Sequence, residues 1–243
     1  MNIVLLLLLN FVTNLETLIS AMHEKYHNNY NKNITFIQKN IEYKSNGDKT
    51  VSVLYEAHNY PDHMRVDYGF TPNINGVIYT KDSIYNFSNG KHINTSYGKN
   101  PMVFLTGDIY YLHKEKILKT LVELGFNTTK FKTVNYEGKK TYVVGTETEN
   151  DTLSEQFWID AENLYLVRLI KKNSATQVLE DMHFIEHEKV GDSWVEDRVI
   201  VYSNGIKIRE ELYTEVNPNN ELDPTIFNPK FWGKVHWHKK TTK

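Results

Sequence analysis

Residues 156–170 read QFWIDAENLYLVRLI, two short runs rich in aromatic and β-branched side chains around the polar turn Asp160-Ala161-Glu162-Asn163. Strand side chains alternate between faces, so Phe157 and Ile159 share one face while Trp158 and Asp160 take the other. In the second run Tyr165, Val167 and Leu169 oppose Leu164, Leu166, Arg168 and Ile170. Both faces of this hairpin carry apolar groups. That is the pattern of strands inside a sheet covered on each side, not of a solvent-exposed edge.

Working outward, residues 177–190, 193–203 and 206–216 read as three further strands, with Gly191-Asp192 and Asn204-Gly205 as turns. Asn-Gly between alternating runs is the strongest hairpin signal in the chain. Upstream, residues 131–136 and 140–148 are strands, preceded by a helix over 114–124. Its stripe is Ile117, Leu118, Leu121 and Val122, and Gly125 stands at the expected C′ position. Residues 97–111 read as irregular. Before them, 76–80, 83–88 and 91–95 form a meander through Lys81-Asp82 and Asn89-Gly90. Residues 33–43 and 50–58 pair around Asn46-Gly47-Asp48, and Pro61-Asp62 separates them from a strand at 64–68. Leu15, Leu18, Ile19, Met22 and Tyr26 recur at helical spacing behind a plausible N-cap, Asn14. About a dozen strands and two amphipathic helices result, with no linker or repeat between them. A sheet this wide must curl or split into two layers, and the helices belong on its concave side.

The composition narrows the function. Basic and acidic residues number 28 and 30, for a formal net charge of −2, which excludes a broad basic field for nucleic acid. Cysteine is absent, so disulfides, thiolate metal sites, thiol nucleophiles and a lipidated amino-terminal cysteine are excluded. The apolar run Ile3-Val4-Leu5-Leu6-Leu7-Leu8-Leu9 is too short to span a bilayer and has the length of a signal h-region. The reading is a signal peptide over residues 1–14, one domain over 15–229 and a C-terminal tail over 230–243.

Motifs for chemistry are sparse. There is no phosphate-binding glycine loop and no G-x-S-x-G elbow. His183 and His187 are about 13 Å apart along an extended strand, too far to share an ion. His236 and His238 flank Trp237 in the tail and make no stronger metal case. No nucleophile–base pair, cofactor motif or metal site is expected.

Several short motifs occur in a telling order. They are Phe36 and Gln38 (F-x-Q), Pro61, Met64 and Arg65 (P-x-x-M-R), the run NGVIYTKDSIYNF over 75–87, FWID over 157–160, and L-D-P-x-x-F-x-P over 222–229. In this order the chain resembles the LolA-like superfamily, in particular outer membrane lipoprotein-sorting proteins. The resemblance implies a mainly β fold, an incomplete antiparallel β-barrel covered by two amphipathic α-helices over a hydrophobic cavity. It further implies a non-enzymatic, monomeric carrier of lipoprotein acyl chains or another lipid in the Gram-negative periplasm, served by inner- and outer-membrane transport partners. Arg65 matches the arginine that holds the lid in the best-known carriers, although Asp67 and Tyr68 follow where those carriers are often apolar. The expected ligand-facing residues are Phe36, Val53, Tyr55, Met64, Arg65, Tyr79, Tyr85, Trp158 and Leu166. The competing expectations are a sensor or protein-interaction domain whose cavity is filled by its own side chains, and an enzyme acting on a lipid or glycan.

Overall fold

Two Asn-Gly dipeptides close hairpins as their chemistry requires. Asn89 and Gly90 have φ of 50° and 74°, and Asn204 and Gly205 have 49° and 74°. Type I′ turns need a left-handed backbone at both central positions, which Asn and Gly tolerate best. In the computed structural model, which describes residues 12–27, 29–69, 74–173, 175–219, 221–235 and 237, these turns belong to one antiparallel sheet.

Its strands are β1 (Asn33–Tyr43), β2 (Lys49–Asn59), β3 (His63–Tyr68), β4 (Gly76–Thr80), β5 (Ser83–Ser88), β6 (Lys91–Tyr97), β7 (Phe131–Tyr136), β8 (Lys139–Val144), β9 (Gln156–Asp160), β10 (Leu166–Lys172), β11 (Leu179–Val190), β12 (Ser193–Ser203) and β13 (Ile206–Pro218). Across the sheet the order is β6-β5-β4-β3-β2-β1-β13-β12-β11-β10-β9-β8-β7. Two meanders are thus joined by the β1–β13 pair, and β6 and β7 are edges that do not meet. The barrel stays open.

Three α-helices fill the opening: α1 (Leu15–Tyr26), α2 (Pro101–Thr106) and α3 (Lys114–Glu123). The last two lie in the chain between the edge strands. Helix α1 starts in a capping box, with Thr17 N donating to Asn14 Oδ1 at 2.9 Å and Asn14 N to Thr17 Oγ1 at 3.1 Å. Helix α3 ends in a Schellman motif, Gly125 N donating to Val122 O and Phe126 N to Leu121 O. Helix α2 departs from the expected irregular stretch. Asn100 caps it by accepting from Met102 N at 2.9 Å, and Pro101 sits at its first turn. Six residues are too few to show a periodic stripe in sequence.

Leu18, Ile19 and Met22 of α1, Phe104 and Leu105 of α2, and Ile117 and Leu121 of α3 share one core with Phe157, Ile159, Leu166, Leu169, Phe184, Val199 and Val201 of the sheet. Burying each such side chain stabilises by about 1.5–3 kcal/mol. The polar turn of the β9–β10 hairpin anchors this cover. Lys25 Nζ donates to Glu162 O at 2.6 Å, the Tyr26 hydroxyl to Asn163 O, and Tyr110 Oη to Leu164 O at 2.9 Å. Within the hairpin the register shifts between Leu166 and Arg168. Leu166 and Leu169 therefore both reach the core, which simple alternation would forbid.

The opposite face of β2–β5 is covered by the C-terminal segment, with 3₁₀ turns at Pro224–Phe227 and Pro229–Phe231. Ile226 and Phe227 pack on Ala57, and Trp232 stacks on Phe87 at 4.1 Å between ring centres. The expected tail thus contributes Trp232 to the fold. Arg65 lies under this strap and not on the helix-covered face, which corrects its expected placement as a lid latch. It is 1% exposed and grips Asp67 with two bonds, Nε to Oδ2 at 2.8 Å and Nη2 to Oδ1 at 3.0 Å. Nη1 donates to Ile226 O at 3.2 Å, and the guanidinium sits 4.4 Å from the Trp232 ring. Trp237 Nε1 also donates to Asp67 Oδ2, at 3.0 Å.

Removing one member of a buried ion pair strands the other, at a cost of about 3–5 kcal/mol. Arg65→Leu is expected to lose that much stability in urea unfolding. Arg65→Lys recovers only part, because an ammonium cannot grip a carboxylate with a planar fork. A loss below about 1 kcal/mol in Arg65→Leu would mark the pair as solvated.

Candidate functional site

The inward residues of β1 include Phe36 and Gln38, and those of β2 include Leu54, Glu56 and His58. Their register places Phe36 opposite Glu56, Gln38 opposite Leu54 and Ile34 opposite His58. On the other flank of β1, Gln38 faces Tyr213 and Asn40 faces Glu211 of β13. Four central strands, β2, β1, β13 and β12, therefore bring polar side chains to the middle of an otherwise apolar face. A cavity of about 180 Å³ lies there, closed over by Asn100, Met102, Val103 and Thr106 at α2 and by Tyr30 and Tyr60.

Three carboxylates line it, and each has a different setting. Glu56 Oε2 lies 3.2 Å from His58 Nε2, with both residues about 5% exposed or less. Glu211 accepts from Arg209 Nε at 2.7 Å and from Tyr213 Oη at 3.1 Å, and burial still raises its pKa. Glu196 has no ion-pair partner among the described residues, and its carboxylate accepts a hydrogen bond from its own backbone N–H. Burial, followed by the nearby charges of Glu211, Asp197 and Glu56, pushes its pKa up to about 7.

Aromatic rings run beside the acids. His58 stacks on Phe36 at 5.4 Å and tilts against Tyr60 at 5.4 Å, while Phe36 meets Tyr213 at 4.9 Å. Tyr30 stacks on Tyr110 at 4.1 Å and donates to Thr106 O at 2.8 Å, tying α2 to the segment after α1. Gly107 after α2 has no Cβ because the Tyr60 ring passes there, 1.9 Å from where one would sit. Burial raises the phenol pKa values of Tyr30, Tyr60 and Tyr213, and the Glu196 charge adds to each.

Of the residues expected to face a ligand, Phe36 and Met64 line the cavity. Tyr79 and Leu166 face the same side and join the main core outside it. Val53 and Tyr55 alternate with Leu54 and Glu56 and so face the strap side, as do Arg65 and Tyr85, the latter packed in the Trp232 cluster. Trp158 also faces outward, beneath Arg168 and edge-on to Tyr136. Sequence reasoning missed Glu56, His58, Glu196, Glu211, Tyr213 and Tyr30. The available signal was the set Leu54, Glu56 and His58 at alternate positions of β2, which the apolar set Val51, Val53, Tyr55 and Ala57 outcompeted. His183 pairs with Asp181 and Tyr136, and His187 stacks on Tyr165 with its Nε2 at 3.0 Å from Leu166 O. No group of three His, Cys, Asp or Glu among the described residues could hold a metal ion. The apolar run 3–9 and both His236 and His238 lie outside the described residues.

The raised pKa of Glu196 has a definite sign for stability. The folded state holds the proton more tightly than the unfolded state, whose pKa is near 4.5. Stability from that proton is complete below about pH 4.5 and is lost as pH rises through about 7. Glu196→Gln never ionises. It is expected to match wild type at pH 4.5 and exceed it at pH 8 by on the order of 2–3 kcal/mol in urea unfolding. Parallel pH profiles for the two proteins would show a solvated Glu196.

No protein-family model and no curated protein matches the sequence. Among solved structures, the chain is similar to a DUF1329 family protein from Desulfovibrio piger, with a TM-score of 0.59, 9% identity and coverage of 89% of this chain and 97% of that one. It is also similar to a domain from Vibrio parahaemolyticus described as an outer membrane lipoprotein-sorting protein, at TM-score 0.59, 8% identity and 88% and 96% coverage. A third is the LolA superfamily protein NE2245 from Nitrosomonas europaea, at TM-score 0.56, 6% identity and 88% and 98% coverage. Identities this low speak for architecture, and the architecture agrees over nearly the whole of each chain: this protein has a LolA-like fold.

Proposed function

We propose that the protein is an exported lipid- or lipoprotein-binding carrier that holds acyl chains between the concave sheet and the helices. The observation that carries this reading is the cavity under α2, in the part of the fold where sheet and plug can separate. Two features bear on a movable cover. Helix α2 has only six residues, and a helix that short draws its stability from packing. Its end is held to the segment after α1 by the Tyr30 hydroxyl, donated to Thr106 O.

At about 180 Å³ the closed cavity is below the ~300–1,000 Å³ of common small-molecule pockets, so an acyl chain needs α2 displaced. Lifting α2 would carry Val103, Phe104 and Leu105 away and join the cavity to the apolar core they pack against. Each methylene buried there would add about 0.8 kcal/mol. The relative described as a lipoprotein-sorting protein agrees with this chemistry. No helix among the described residues is long and apolar enough to cross a membrane. The setting is the periplasm of a Gram-negative bacterium, and the partners are a donor in the inner membrane and an acceptor in the outer.

The smallness of the closed cavity favours one other reading, a non-catalytic sensor or interaction domain of the same fold packed with its own side chains. Binding of a fluorescent acyl ester with no charged head group separates the two. Micromolar binding that is abolished in Val103→Trp, which fills the cavity roof, is expected of the carrier. Failure of the unaltered protein to bind any acyl probe selects the interaction domain. Export has its own check. The amino terminus of the protein isolated from its host is expected near Leu15, and intact Met1 would contradict it.

A further inference from the structure

We propose that the cavity beneath α2 is a site for an alkylammonium group, held by Glu196 with Glu56 and Glu211 and enclosed by the rings of Tyr30, Tyr60 and Phe36. The inference rests on the carrier reading and names the head group that this same cavity selects.

Three observations converge. First, the acids outnumber the cations that face them. Arg209 answers Glu211 and is itself shared with Glu180, Glu56 meets His58 only through a ring-nitrogen hydrogen bond, and no cation among the described residues answers Glu196. A half-buried carboxylate beside two others and without a cation gains from a visiting group of opposite charge. Second, His58 is 4% exposed, lines the cavity, and has an Nδ1 with no hydrogen-bond partner. With Nε2–H turned to Glu56, that Nδ1 is a bare acceptor. An ammonium group carries three donors and no acceptor, which suits a wall of carboxylate oxygens and an imidazole lone pair.

Third, aromatic rings form part of the remaining wall, beside Ile34, Met64 and Val195. Tyr30, Tyr60 and Phe36 present π-faces or edges around the acids, and π-faces attract cations most where water is excluded. The volume of about 180 Å³ admits an ammonium and the first few carbons of its stem. The rest of an alkyl chain would extend under Met102 and Val103 of α2. A carboxylate head group meets the opposite conditions, with three acids around it.

Titration calorimetry at pH 8 with octylamine, octanol and octanoate tests the assignment, because the three share one chain and differ in head charge. Octylamine is expected to bind at least tenfold more tightly than octanol, with octanoate weakest. In Glu196→Gln the preference for octylamine over octanol should fall at least tenfold, while octanol binding is unchanged. Glu56→Gln is the second variant, and a smaller loss of the same sign is expected there because Glu56 already meets His58. Thermal unfolding of both variants establishes that they are folded. Octanoate binding as tightly as octylamine, or a preference untouched in Glu196→Gln, overturns the ammonium assignment and leaves the carrier reading standing. Absence of binding by all three ligands overturns both.

Discussion

The pairing of β1 with β13 is the contact on which everything else in this molecule depends. Every other ladder joins strands adjacent in sequence. Among the ladders, β1–β13 alone joins strands roughly 170 residues apart, with Gln38 opposite Tyr213 and Asn40 opposite Glu211. Closing such a loop is opposed by chain entropy that local hairpins do not face. Without this seam there would be two separate meanders, each with a naked apolar face. With it, one curved surface forms, and the cavity lies on the seam.

The two faces of the sheet treat buried charge differently. On the strap side, Arg65 spends its donors on Asp67, on the carbonyl of Ile226 and against the Trp232 ring. The charges of Arg65 and Asp67 answer each other there, and Ile226 and Trp237 tie the C-terminal segment to them. On the helix side, Glu196 stands near Glu56 and Glu211, and its proton affinity rises to compensate. Satisfied polar networks specify structure, while an unsatisfied one leaves a place for something else. The satisfied cluster sits under the strap. The unsatisfied one sits under the shortest helix.

The local half of this architecture was legible in the sequence. Asn204-Gly205 and Asn89-Gly90 announced their hairpins, and the stripes of α1 and α3 came with readable caps at Asn14 and Gly125. Helix α2 was hidden because six residues make less than two turns. The site was hidden for a different reason. Alternation sorts β2 into Val53-Tyr55-Ala57 and Leu54-Glu56-His58 but cannot say which set is concave. The apolar set looked like a cavity wall because nothing in the sequence showed that Ile226, at the domain's end, and Trp232, in the tail, cover the other face. Arg65 was misplaced by the same inversion. Gln38, Glu56 and Glu211 become one cluster only once the seam is known, and no local pattern encodes it.

The seam also orders events in time. A ribosome makes β1 early and β13 about 160 residues later, an interval of roughly 10–30 s at ~5–20 residues per second. Throughout that interval β1 carries one unpaired edge, a template for stray strands. Neither the concave surface nor its three acids can assemble before the last strand arrives. The chain thus stays without its seam until β13 has been made.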